Sequence, residues 1–159
     1  MSRPMPPPPF RYYLRVRYHE CDAQRVVFNG HYGTYVDMAC TEFLNQIMPD
    51  RHQRSEAPVQ IQLVKQVIEW TAPARFDDIV EIATWCPSAG NTSFVLKFEL
   101  RKAGETKPFV TAETTNVHMD GRNWTKQPIP PDLKALLLRG APGVVVDHAG
   151  HLAGRKASG

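Results

Sequence analysis

The chain has 159 residues, 42% of them hydrophobic and 22% charged, with a formal net charge of +3. That is the size and make-up of one soluble domain with its own core, and its basic residues are too few and too scattered for a nucleic-acid footprint. No apolar run approaches the roughly 20 residues that cross a bilayer. The three cysteines form no CxxC pair, which argues against a disulfide framework and for a reducing cytoplasm.

Met1 to Pro9 is proline-rich, lacks the apolar stretch of a secretory signal, and reads as an extended, solvated arm. Tyr12 to Tyr18 alternates as a half-buried strand, with Tyr12, Leu14, Val16 and Tyr18 on one face. From Gly30 to Met48 the period becomes helical. Tyr32, Tyr35, Val36, Ala39, Phe43 and Ile47 share a face, Asn29 stands where an N-cap belongs, and Pro49 stops the helix.

Four further strands are predicted at Val59–Trp70, Ile79–Cys86, Ser93–Arg101 and Phe109–Met119. Phe94, Leu96, Phe98 and Leu100 carry the clearest period of two, and Gly90-Asn91 predicts an antiparallel hairpin before them. Pro128 to Pro131 opens a short helix, Asp132 to Leu138. Gly140 to Gly159 is too polar and glycine-rich to offset its ordering entropy. These boundaries give an arm at 1–10, a domain at 11–139 and a flexible tail at 140–159. One long apolar helix followed by strands must be covered by a single sheet, so the fold class is α+β.

The chemically dense stretch is His19-Glu20-Cys21-Asp22. Neighbours in an extended chain point to opposite faces, so these four do not converge on one metal ion. No G-x-S-x-G elbow, Walker loop or dinucleotide glycine pattern is present, and a Cys21 nucleophile beside His19 lacks supporting spacing. There remains a carboxylate, Asp22, a few residues before a helix N-terminus. Free amides there stabilise an oxyanion, and a carboxylate attacks a thioester carbon or activates water. A thiol leaving group, with a pKa of roughly 8.5, departs with little help. If the Asn29 side chain caps His31 or Tyr32, the amides of Asn29 and Gly30 stay free for substrate. The competing reading makes Asp22 a turn residue and Asn29 a plain helix cap.

Cys21-Asp22, Val26-Val27-Phe28, Asn29 and Tyr32 resemble the first motif of the 4-hydroxybenzoyl-CoA thioesterase family of hotdog proteins, which includes the Tol–Pal-associated acyl-CoA thioesterases. The likeness continues through Asp37, Thr41-Glu42-Phe43-Leu44, Ile68-Glu69-Trp70-Thr71-Ala72-Pro73, Asp78, Asn91-Thr92-Ser93-Phe94 and Pro128-Ile129-Pro130, covering about residues 11–138. It implies a hotdog fold, a central helix wrapped by a five-stranded antiparallel sheet, assembled as a homodimer or a dimer of dimers. It also implies Asp22 as the catalytic carboxylate and an amide near Asn29 polarising the thioester carbonyl. The substrate would be an acyl-CoA, with CoA entering as part of it and no separate cofactor or metal. Arg25 stands where the family usually has glycine, so either the loop is reshaped or Arg25 reaches the pocket or a CoA phosphate. His31, before the tyrosine, either touches substrate or packs. The expected substrate-binding set is therefore Arg25, Asn29, Gly30, His31 and Tyr32. A hotdog module that binds acyl thioesters without hydrolysis, or an enzyme acting on acyl carrier protein, are the alternatives.

Overall fold

The computed structural model describes residues 5–51 and 60–156. In chain order its elements are β1 (Phe10–Arg15), a 3-10 turn (Tyr18–Glu20), α1 (His31–Ile47), β2 (Gln60–Trp70), β3 (Ile79–Ala89), β4 (Ser93–Lys102), β5 (Val110–Asp120), β6 (Thr125–Lys126), α2 (Pro131–Arg139), β7 (Val145–Asp147) and α3 (His151–Lys156). The predicted Val59 lies outside the described residues.

Tyr32, Tyr35, Val36, Ala39, Phe43, Leu44 and Ile47 make one buried stripe along α1. That stripe packs on the inner face of the sheet, where Phe10, Tyr12 and Leu14 of β1, Val80 and Ile82 of β3, and Phe94, Leu96, Phe98 and Leu100 of β4 are buried in the same cluster. Each large side chain buried in this way contributes roughly 1.5–3 kcal/mol. Leu133 and Leu137 of α2 complete the core. The Gly90 turn is as expected: its amide donates to the Ser93 carbonyl at 2.7 Å, and β3 and β4 pair antiparallel from Ala89↔Phe94. β3 runs past Cys86 because a register shift between Trp85 and Ser88 absorbs Pro87, whose missing N–H is tolerated at a bulge.

A long helix held by a mainly antiparallel sheet is the α+β arrangement implied by the sequence, but the sheet has seven strands instead of five. The order is β2-β5-β4-β3-β1-β7, with β6 returning on β5. β7 is the larger correction. The segment 140–159, expected to be a flexible tail, places Val145–Asp147 parallel to Arg11–Tyr13 and then forms α3. The arm boundary changes with it, since Phe10 is a buried strand residue and the Pro8 carbonyl accepts the Gly143 amide at 2.7 Å. β1 also differs from its expected span. It stops at Arg15, and Tyr18, assigned by alternation to the core face, is 81% exposed on the 3-10 turn. Among the described residues no helix is long and apolar enough to cross a membrane.

Candidate active site

The segment leading to Asp22 is shaped by backbone pairing and one acid. Beyond β1 the chain still pairs, with the Val16 amide donating to Asp78 at 2.9 Å and the Asp77 amide to Val16 at 3.2 Å. Glu20 then anchors the turn. Its carboxylate accepts the Arg17 amide at 2.6 Å and the Tyr35 hydroxyl at 2.9 Å, and its carbonyl accepts the Phe28 amide at 2.9 Å. Burial, with the Glu20 hydrogen bond, raises the Tyr35 phenol, so it remains a donor to that carboxylate. An acid early in the loop is thus tied to the buried face of α1.

Cys21 and Val27 form an antiparallel bridge, and the hairpin between them is closed by Asp22 N–H to Val26 O and Arg25 N–H to Asp22 O, both 2.9 Å. Asp22 therefore sits at a hairpin tip, half-buried, with its carboxylate accepting the Gln24 amide at 2.8 Å. Such an Asx turn fixes one carboxylate oxygen and leaves further lone pairs unused. Arg25 adopts φ 64 in this tip. Arginine occupies the left-handed conformation that a glycine would favour, at a cost of roughly 1–2 kcal/mol. Arg25→Gly relieves that strain but loosens the unfolded chain by about 0.4–1 kcal/mol. The variant is expected to melt slightly higher than the parent, by up to about 1 kcal/mol in stability, as thermal unfolding would show.

The start of α1 differs from expectation in its partners while leaving the same amides open. Gly30, not Asn29, occupies the N-cap position, and no side chain caps the helix. The His31 and Tyr32 amides are instead taken by the carbonyls of Phe28 and Asn29, at 2.9 and 3.3 Å. Among the described residues the Asn29 and Gly30 amides donate to nothing. A turn upstream of the helix has satisfied the donors that an asparagine side chain would have served. The Phe28 ring lies over Gly30, where a Cβ would come within 2.8 Å of Phe28 Cε1.

Asp22, Asn29 and Tyr32 come together on a cavity of about 560 Å³ whose other walls are Gln24, Val26 to Phe28 and the stretch Trp70 to Pro73. Tyr32 is 2% exposed and acts as a strut: its hydroxyl accepts the Ala74 amide at 3.0 Å, and its ring meets Trp70 edge-on. The Ala74 carbonyl in turn accepts the Val27 amide at 2.9 Å. Burial raises the Tyr32 phenol, so it stays neutral. Arg25, Gly30 and His31 are not among the cavity walls; His31 stands edge-on to the Phe28 ring at 5.9 Å. The wall from Trp70 to Pro73 was absent from the expected site set. Its proximity depends on the Val26–Arg75 and Val27–Ala74 backbone links, which no local pattern encodes.

The thiols do not offer a competing nucleophile. Desolvation and the carboxylates of Glu20 and Asp22 raise the Cys21 thiol, and burial pushes Cys40 up to about 12 and Cys86 up to about 11. A nucleophilic cysteine needs the opposite shift. His19 is exposed on the 3-10 turn.

Residues 16–137 match the thioesterase-like superfamily. The acyl-CoA thioester hydrolase YbgC of Escherichia coli O157:H7 is 33% identical over 106 residues, 67% of this chain and 72% of that protein. Among solved structures, the gentisyl-coenzyme A thioesterase BH1999 superimposes with a TM-score of 0.70 at 24% identity, over 80% of this chain and 98% of that one. The 1,4-dihydroxy-2-naphthoyl-CoA thioesterase Slr0204 of Synechocystis gives 0.71 at 20% identity, over 80% and 94%. At such identities the structural likeness is one of fold, and that fold is the hotdog.

Proposed function

The chain belongs to the thioesterase-like superfamily, and from that premise we propose that its Asp22 cavity is the centre at which an acyl-CoA is hydrolysed to the free acid and CoA. The protein is a thioester hydrolase. The observation that carries the assignment to this site is the meeting, on one cavity, of a carboxylate held at a hairpin tip and a helix start with unengaged amides. The Asn29 amide, on the cavity wall, would stabilise the charge developing on the carbonyl oxygen, in a position favoured by the α1 dipole. Asp22 would either attack the carbonyl carbon, giving a mixed anhydride that water then hydrolyses to the free acid, or take a proton from a water that attacks the thioester directly. CoA leaves as thiolate, so neither a general acid nor a separate cofactor is required in this scheme. The three thiols, all free, suit a reducing cytoplasm.

Two alternatives are separable by experiment. Release of free thiol from a panel of acyl-CoAs of varied length and aromaticity, compared with the same acyl groups on a carrier protein, is expected to show turnover of the CoA esters. Binding without turnover of either would make this a non-hydrolytic module.

Assembly into a dimer or a pair of dimers belongs to the same reading. β2 is an 11-residue strand at one end of the sheet order, with Leu63, Val64 and Val67 between 42% and 57% exposed. A long apolar edge is an invitation to pair with another chain. Light scattering after size exclusion is expected to give at least twice the chain mass, and Val64→Lys, on that edge, is expected to shift the population toward monomer. A fully active monomer would sink the shared-edge model.

A further inference from the structure

Three segments lie side by side next to the cavity-lining stretches Asp22 to Val26 and Trp70 to Pro73. Val16 is hydrogen-bonded to Asp77 and Asp78, and Val26 is bridged to Arg75, so residues 75–78 run between residues 16–18 and the Asp22 hairpin. On these segments Tyr18 and Phe76, 81% and 56% exposed, pack edge to face with ring centroids 5.9 Å apart. Arg17, Arg25 and Arg75 are exposed along the same three segments. Among the described residues their guanidinium groups form no ion pair and donate no hydrogen bond.

The neighbouring acids, by contrast, are engaged. Asp77 pairs with Arg15 at 3.2 Å, Asp78 accepts the Arg75 amide at 2.8 Å and lies 3.7 Å from the Lys102 ammonium, and Glu20 is bonded to Arg17 N–H and Tyr35. The three segments thus present unpaired positive charge around an exposed aromatic pair. Arginine is suited to phosphate by its planar fork of donors, and an exposed ring face is suited to a stacked base.

We propose that Arg17, Arg25 and Arg75 with Tyr18 and Phe76 form the binding platform for a 3′-phosphorylated adenine nucleotide, the part of CoA remote from the thioester. This rests on the acyl-CoA reading and adds the residues that recognise the carrier. The arginines meet the diphosphate and the 3′-phosphate, and Phe76 or Tyr18 receives the adenine ring. An acidic carrier protein would use the arginines as well, but it has no purine to place on the exposed rings.

Calorimetric titration with free CoA and with pantetheine, which lacks the nucleotide, tests the platform without depending on turnover. CoA affinity is expected to fall about tenfold or more in the doubly substituted Arg17→Ala, Arg75→Ala protein, with the loss shrinking as salt is raised. Phe76→Ala is expected to weaken CoA by about the same factor, by loss of stacking. In steady-state assays the ratio of kcat/KM for acyl-CoA to that for the matching acyl-pantetheine should fall in parallel. Variants that bind CoA as tightly as the parent overturn the proposal, as does a loss confined to an acyl carrier protein substrate. A parent that turns over no thioester, with CoA binding that still falls in the variants, upholds the platform and removes the hydrolytic reading.

Discussion

Asp22→Asn is expected to lower kcat by about 10²-fold or more while leaving acyl-CoA affinity nearly unchanged, because it removes the charge without disturbing the hairpin that carries it. The hairpin bonds of residue 22, from its amide to Val26 and from the Arg25 amide to its carbonyl, are backbone bonds and survive any side chain. The Asx bond to the Gln24 amide survives too, since asparagine keeps the accepting oxygen. The Asn29 amide is untouched, so the carbonyl of the substrate would still find its donor. Asparagine neither attacks a thioester carbon nor takes a proton from water. Single-turnover thiol release, measured beside a thermal melt, separates the two effects. A folded variant with the parental rate would take Asp22 out of the chemistry and return it to the role of turn residue.

The parts of this protein that were legible from sequence are those decided by neighbours within a few residues. Phe94, Leu96, Phe98 and Leu100 alternate and are buried as a row, and the α1 stripe from Tyr32 to Ile47 faces the core as its period demands. Asp22, Asn29 and Tyr32 share a cavity because a short hairpin and the following helix start bring them together. Two of the errors fall where distant chain decides. Tyr13, on the outward face by alternation, is 5% exposed because the far C-terminal segment covers it: His151 stacks on its ring at 5.1 Å, and its hydroxyl donates to Glu81 at 2.8 Å. Val144 to Val146 is too short a run to signal a strand, and its partner, β1, lies more than a hundred residues upstream. Asn29 had the right residue type for a cap, but the preceding turn had already supplied carbonyls to the amides it would have served. For Arg25, composition could not say whether the residue takes the positive φ that glycine adopts freely; the backbone angle shows that it does.

Deleting residues 141–159 is expected to lower the melting temperature by about 5–10 °C. The segment 141–152 is bound to the domain by several independent links. The Arg11 amide donates to Val144 at 3.0 Å, the His148 amide to Tyr13 at 3.0 Å, and the Gly143 amide to Pro8 at 2.7 Å. Each such bond is worth roughly 0.5–1.5 kcal/mol net. The Tyr12 hydroxyl and His148 Nδ1 lie 3.3 Å apart with their rings edge to face, and the Tyr13–His151 stack adds a second aromatic contact, each worth about 0.5–1.5 kcal/mol. Asp147 accepts the amides of Ala149, His151 and Leu152, which hold its carboxyl below its ordinary value against the desolvation that opposes them, and it thereby orders the return of the chain onto β1. Much of this gain offsets the entropy of ordering the segment, leaving about 2–3 kcal/mol, and in a domain of this size each kcal/mol moves the melting temperature by roughly 2–4 °C. The deletion also bares the edge of β1 and the rings of Tyr12 and Tyr13, so the shortened protein should aggregate more readily on heating. β7 pairs with Arg11 to Tyr13, whereas the Asp22 loop leaves β1 beyond its other end at Arg15. Turnover at 25 °C is therefore expected to hold while stability falls. An unshifted melt, followed by circular dichroism, would mean that the seventh strand contributes nothing to the fold. A lost turnover in a still-folded protein would mean that the segment reaches the site by a route its contacts do not reveal.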